Sequence, residues 1–223
     1  MKPIHIALSA GVLLLPLTGL AEAELPEITH DGLKLRSGTQ MYAVYEYPGA
    51  DLGEYDKVAL LDAYVAFRKN YQRDHNRDAT TLSDRVTDKE MQRIREDLAK
   101  EFREMFTKVL VEEGGHQMAE QGTSGTLVIR PAIINLDVTA PDQMASGRQY
   151  SFVASAGSMT LYMELYDGRT GQILYRVIDP EAGMDRGHIQ WANAVSNRSE
   201  ADRIFRKWAE LLESRLKDVQ GGS

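Results

Sequence analysis

Val86-Thr-Asp-Lys-Glu-Met-Gln-Arg-Ile-Arg-Glu-Asp-Leu-Ala-Lys-Glu-Phe-Arg-Glu-Met-Phe-Thr-Lys-Val109 is the stretch that decides the fold. Its opening, Thr87-Asp88-Lys89-Glu90, is a capping box. There the Thr87 hydroxyl accepts from the Glu90 amide and the Glu90 carboxylate accepts from the Thr87 amide, which satisfies donors that a helix start leaves open. Val86 before the cap and Met91 after it form the matching hydrophobic staple. Met91, Ile94, Leu98, Phe102, Met105, Phe106 and Val109 then recur at helical spacing, one apolar stripe that must face a core. Gly114-Gly115 supplies a left-handed stop.

Outward from this helix, both neighbours read as strands. Lys57 to Phe67 is rich in β-branched and aromatic residues and apolar on both faces except at Asp62, as a central buried strand would be. Thr126 to Val138 is the next, with Pro131 lacking a ladder donor and therefore expected at a bulge or on an open edge. If these two strands are parallel, the helix crosses over between them in the right-handed sense. The polar connection from Arg68 to Arg85 is expected to be irregular, and so is Thr139 to Gly157, rich in Ala, Ser and Gly. Before the first long strand, Met41 to Tyr47 reads as a short strand ended by Pro48-Gly49.

Farther out, Ser158 to Tyr166 alternates, with Met159, Leu161, Met163 and Leu165 on one face and Thr160, Tyr162, Glu164 and Tyr166 on the other. Asp167-Gly-Arg-Thr-Gly171 is a hairpin loop, and Gln172 to Ile178 returns. A last helix is expected from an N-cap at Ser199, its stripe built of Ala201, Ile204, Phe205, Trp208, Leu211, Leu212 and Leu216. The order of elements implies an α+β fold, a two-layer α/β sandwich in which one mixed β-sheet carries two long amphipathic helices on one face. A single domain over residues 24–220 is expected, with Gly221-Gly-Ser223 as a disordered tail.

The chain begins with Met1-Lys2, an apolar run from Ile4 to Leu20, and Ala21-Glu22-Ala23. A charged start, an apolar middle and an A-x-A site make a secretory signal peptide over residues 1–23, cleaved between Ala23 and Glu24. Pro16 and Gly19 interrupt a run already short of the about 20 apolar residues of a membrane span. A soluble, periplasmic protein of a bacterial envelope is the expectation. The chain has no cysteine, which excludes disulfides, thiol nucleophiles, thiolate metal sites and a lipid-modified cysteine anchor. A net charge of −7 argues against nucleic acid or anionic membrane as a partner, since both are bound by basic patches.

No catalytic site is legible. His30, His75, His116 and His188 are widely separated, with no helical spacing that would put two ligands on one face, so no metal and no cofactor are expected. Ser124 and Ser155 lack the strand-to-helix elbow of a hydrolase nucleophile, and there is neither a P-loop nor a dinucleotide fingerprint. Asp62 and Glu164 are the carboxylates that a cell-wall hydrolase would use, if they lay in a shielded pocket; the other reading puts Asp62 at a strand end or bulge with a hydrogen-bond partner. Glu112 and Glu113 read as surface charge. Tyr42, Tyr45, Tyr47 and Tyr55 are candidates either for exposed contacts or for the core, and Trp191 for covering the core's edge. The favoured function is a non-enzymatic binding or accessory module whose partner, another envelope protein or a glycan, is read by the two long connections. Tyr71 and Arg73 from the first, and Arg148, Tyr150 and Phe152 from the second, are the candidate contacts, because Arg and Tyr most often anchor interfaces.

Three stretches together resemble a known family. They are Pro48-Gly-Ala-Asp-Leu-Gly-Glu-Tyr-Asp-Lys-Val58 entering a strand, Ala156 to Leu174 around the hairpin, and Trp191 with Asn197-Arg-Ser-Glu-Ala-Asp-Arg-Ile-Phe-Arg-Lys-Trp-Ala-Glu-Leu-Leu212. In that order, with the capped helix between, they are similar to the bacterial envelope proteins catalogued as domain of unknown function 3313. The resemblance implies an envelope location and brings no catalytic residues with it. Many members are lipoproteins, from which this chain departs by having no cysteine.

Overall fold

In the computed structural model, which describes residues 25–79, 81, 85–119, 123–138, 158–182 and 194–220 (main chain alone at 78, 182, 194–200 and 220), the capped helix α2 spans Asp88–Thr107. Its start has both halves of the box: the Thr87 hydroxyl accepts from the Glu90 amide at 3.2 Å, and Glu90 Oε2 accepts from the Thr87 amide at 2.7 Å. Met91, Ile94, Leu98, Phe102 and Phe106 are buried. The last turns widen into a π-helix over Lys108–Glu113, and Gly115 stops the chain with a φ of +82°.

The strands are β1 (Lys34–Leu35), β2 (Ala43–Glu46), β3 (Lys57–Leu60), β4 (Tyr64–Phe67), β5 (Gln117–Met118), β6 (Thr126–Asp137), β7 (Ser158–Asp167) and β8 (Ile173–Ala182). They form one mixed sheet in the order β1-β2-β8-β7-β6-β3-β5, with β4 beside β6 beyond the end of β3. β3, β4 and β5 join by parallel pairing, and all other neighbours are antiparallel. The second long helix, α3, runs over Ala194–Gln220. Its Ile204, Phe205, Trp208, Leu212 and Leu216 meet the α2 stripe and the inward residues of β6 and β7, such as Leu127, Ile129, Leu161 and Met163, in one core. The fold is therefore α+β, a mixed sheet with two long helices on one face.

The run from Lys57 to Phe67 departs from its expected form. It is two short strands lying to one side of β6, while the central strands are β6, β7 and β8. The cause is on β6. The Leu61 amide donates to the Ile129 carbonyl at 2.9 Å, so residues in phase with Ile129, Pro131 among them, face this neighbour. Pro131 has no N–H to donate, and the partner chain leaves the ladder at Leu61-Asp62-Ala63. Farther along, Asn135 takes a left-handed φ of 54° where the β6–β7 register shifts. That bulge lets Ile133 and Leu136, three residues apart, both enter the core.

Two other expectations are corrected. The polar segment 68–85 is not an irregular loop, since Tyr71–Asp78 forms a helix, α1. It lacks an apolar stripe, so hydrophobic periodicity cannot reveal it; what seats it is amide chemistry. The Asn76 side chain accepts from the Val86 amide at 2.7 Å and donates to the Val86 carbonyl at 3.0 Å, and Gln72 donates to Asp88 at 2.8 Å. Helix α3 begins at Ala194, before Ser199, which lies inside it. The sheet's second face is partly covered by residues 25–35, where Leu33 packs with Ala43 and Tyr45 in a small separate cluster. The expected signal peptide with its Ala23–Glu24 cleavage site, the 139–157 connection, Ser155, His188, Trp191 and the 221–223 tail lie outside the described residues.

Candidate binding site

Because β4 starts past the break at Asp62, it runs alongside β6 beyond the end of β3, and β5 does not reach it. Among the described residues β4 pairs on one side alone, with β6. Its outer edge borders an open cleft of about 650 Å³ whose walls are β4, α1 and the first turns of α2. Tyr64 stands at this edge 68% exposed, the most exposed large hydrophobic residue described.

The cleft's charge is unusual for so acidic a chain. It is lined by Arg68, Arg73 and Arg95 and by no carboxylate. Arg68 is held by Asp137 at 2.6 Å and Asp74 at 3.0 Å. These contacts raise the Arg68 pKa and, through Arg68 first and Arg73 second, lower that of Asp74. Arg73 reaches Asp74 at 3.1 Å but leaves most of its side chain in water. Arg95 lies over the Phe67 ring, 5.3 Å from its centroid, with the Gln92 amide oxygen at 3.4 Å. A guanidinium stacked on an aromatic face still has in-plane donors for an acceptor, here those that Gln92 does not take.

Of the expected contacts, Tyr71 and Arg73 fall at this cleft. Tyr71 is not an exposed loop residue, which corrects its expected part. It begins α1, is 2% exposed, stacks on Phe67 at 4.6 Å and donates to the Val138 carbonyl at 3.0 Å. Burial pushes its hydroxyl up to about 12. It anchors the cleft's inner wall, whereas Tyr64 and Arg73 are exposed beside the cleft and Arg95 is half-buried along it. Arg148, Tyr150 and Phe152 lie outside the described residues. Tyr64 and Arg95 escaped the sequence reading for separable reasons. A central-strand assignment hid Tyr64 among core residues, and Arg95 is one of several charges on the polar face of α2.

The two carboxylates considered for hydrolysis are far from forming a shielded pair. Asp62 is at the break, its side chain 89% exposed, and accepts from Arg103 at 2.6 and 2.9 Å, in keeping with the reading that put it near a strand end with a hydrogen-bond partner. Glu164 is buried on the sheet's second face. It accepts from Arg176 at 2.9 and 3.0 Å, from Tyr166 at 2.6 Å and from Tyr162 at 3.0 Å. Burial pushes its carboxyl up, but the hydrogen bonds of Tyr166, Arg176 and Tyr162 outweigh that and leave it lowered. A carboxylate so saturated is a structural anion, not a proton donor. Arg176 bonds Asp31 at 2.6 and 3.1 Å as well, clamping the N-terminal segment onto the sheet. His116 and Glu213, both buried, meet at 2.9 Å and join the end of the π-helix to α3. Tyr45 and Tyr55 are core residues, whereas Tyr42 and Tyr47 are exposed.

The profile of the family described as protein of unknown function (DUF3313) matches residues 28–212. This chain belongs to that family. The DUF3313 match takes in the whole β4 edge, the cleft and most of α3. Among solved structures, this DUF3313 chain is similar to the PelC dodecamer of Paraburkholderia phytofirmans, at 15% identity over 76% of this chain and 96% of that one, with a TM-score of 0.39. It is similar also to a hypothetical protein of Chlamydia trachomatis, at 13% identity over 72% of this chain and 98% of that one, with a TM-score of 0.38. No curated protein matches it.

Proposed function

We propose that this chain is an exported, non-enzymatic binding module of the bacterial envelope, which takes an extended segment of another envelope protein along β4. The single observation that carries the reading is the β4 edge, unpaired among the described residues, with the exposed Tyr64 beside a cleft lined by three arginines, of which Arg95 has no carboxylate partner among the described residues. Addition of a strand to a free sheet edge gives affinity through main-chain hydrogen bonds, each contributing about 0.5–1.5 kcal/mol net. Selectivity comes from what flanks the edge: Tyr64 offers broad contact area, and Arg73 and Arg95 select carboxylates. The charged start, apolar run and Ala21-Glu22-Ala23 of residues 1–23 support export.

A photo-crosslinking residue placed at Tyr64 in living cells should capture a discrete partner, and the same residue at the exposed Tyr42 should not. Arg95→Ala should weaken the capture at least about tenfold, the loss of one desolvated charge-assisted contact. Equal capture at both positions, or full capture by Arg95→Ala, would sink the reading. Retention of the chain in the cytoplasm would sink the export half, and recovery from the periplasm with Met1 intact would sink the cleavage at Ala23.

A further inference from the structure

On the helix-bearing face, toward the opposite edge of the sheet, the core is left open between the β1–β2 hairpin and the C-terminal half of α3. A cavity of about 310 Å³ lies there, walled by residues 36–41 on one side and by Leu211, Leu212 and Arg215 on the other. Its floor follows two cross-strand rows. Val44, Val177 and Met163 are paired neighbours on β2, β8 and β7, and Glu46, Tyr175 and Leu165 form the next row. The first row is wholly apolar. The second is apolar at Leu165 and polar at its β2 end.

The polar end is organised. The Tyr175 hydroxyl faces both Glu46 and Arg215, and burial is the main reason its pKa is raised. Arg36 neutralises Glu46 through an ion pair. Arg215 is exposed at the rim and, among the described residues, forms no ion pair; Asp218, the acidic group lining the rim, is turned to water. A trough with an apolar floor, lined also by Arg36 and Arg215 and by the hydroxyls of Tyr175, Ser37, Thr39 and Ser214, is the arrangement of a small-ligand site: apolar lining for affinity, polar groups for orientation. Space of this size holds roughly ten waters or as many methylenes, given about 30 Å³ for each water.

We propose that this cavity binds a single-chain amphipath with a carboxylate head, the tail lying on the Val44–Val177–Met163 row and the head at Arg215 and the Tyr175 hydroxyl. A medium-length acyl chain of about eight to ten carbons fills the volume. A longer chain has to leave through the open mouth, where its burial ceases to contribute. The site is separate from the β4 edge, and neither depends on the other.

The two methionines that line the cavity, Met41 and Met163, supply the readout. With methionine methyls labelled by carbon-13, decanoate titrated below its micelle concentration should shift the Met41 and Met163 signals saturably, and leave Met91 and Met105 on α2 unmoved. Filling the trough by Val44→Trp or by Leu211→Trp should abolish the shifts. Two fillings from opposite walls ensure that one folded variant is available, judged by the unshifted α2 methyls. Arg215→Gln should reduce the preference for decanoate over decyltrimethylammonium about tenfold, one charge-assisted hydrogen bond converted to affinity. Absence of a saturable shift, shifts that survive a folded filling variant, or equal binding of decanoate and decyltrimethylammonium by the wild type would each overturn the proposal.

Discussion

Replacing Trp208 by alanine would take from the core a side chain that is fully buried and tied at both its apolar and polar ends. The indole packs against Phe205, with ring centroids 5.9 Å apart, inside the layer shared by α2, α3 and the sheet. Its Nε1–H donates to Asp179 Oδ2 at 2.8 Å, and Asp179 is itself 5% exposed. The other Asp179 oxygen accepts from the Tyr42 amide at 2.9 Å, so this one carboxylate fastens α3 and the approach to β2 onto β8. Loss of the ring to a cavity costs about 3–5 kcal/mol. Removal of the indole donor leaves Asp179 with Lys207, at 3.7 Å, as the remaining contact of that oxygen, a further cost of about 1–3 kcal/mol. The sum approaches the whole stability of an ordinary domain, about 5–15 kcal/mol, so Trp208→Ala should be largely unfolded at 37 °C. Trp208→Phe separates the two parts, because it keeps most of the ring and discards only the donor, and should lose about 1–3 kcal/mol. Urea denaturation of the two variants and the wild type, at constant m, measures both. A Trp208→Phe midpoint equal to wild type would show that the Asp179 bond contributes nothing, and an unchanged Trp208→Ala would refute the packing of α3 itself.

Two more outcomes follow from other contacts. In the Asp31–Arg176–Glu164 clamp, Arg176 holds the Asp31 carboxyl well below its ordinary range with help from Thr29, and Glu164 is lowered too. Depressed carboxylates stabilise the fold above their unfolded pKa, about 4, and lose that contribution as pH falls through their folded values. The wild type's stability margin over Arg176→Met should therefore be constant from pH 7 to about 5 and shrink toward pH 2; a margin independent of pH would refute the clamp. At Gly114 a Cβ would stand 2.6 Å from both Glu213 Oε1 and the Leu110 carbonyl. Gly114→Ala should cost about 1–3 kcal/mol by forcing the buried Glu213 away from His116, whereas Gly115→Ala should act through its left-handed backbone alone; thermal melts that leave Gly114→Ala at the wild-type value would show that the two helices do not approach as described.

What the sequence determined by itself is whatever a local pattern encodes. The α2 capping box, the stripes of both long helices, the alternation of β7 and the Asp167–Gly171 hairpin each rest on residues within a few positions of one another, where covalent geometry fixes who can meet. The α+β class follows from the order of those elements, and the DUF3313 resemblance rests on the stretches 48–58, 156–174 and 197–212. The tertiary structure decided the remainder, because it depends on partners distant along the chain. Nothing near Tyr71 announces that Asn76 and Gln72 will hold a polar helix against Val86 and Asp88. The alternation of Glu164 with its neighbours does not disclose that Arg176 and two tyrosine hydroxyls will saturate it. Tyr64 looks like one more core residue until the break opposite Pro131 shifts β4 to a place where, among the described residues, β6 is its one strand neighbour, beside a guanidinium that α2 carries in from 31 residues further along. Periodicity reports which face of an element avoids water, and only the assembled sheet decides which edge is left without a neighbour.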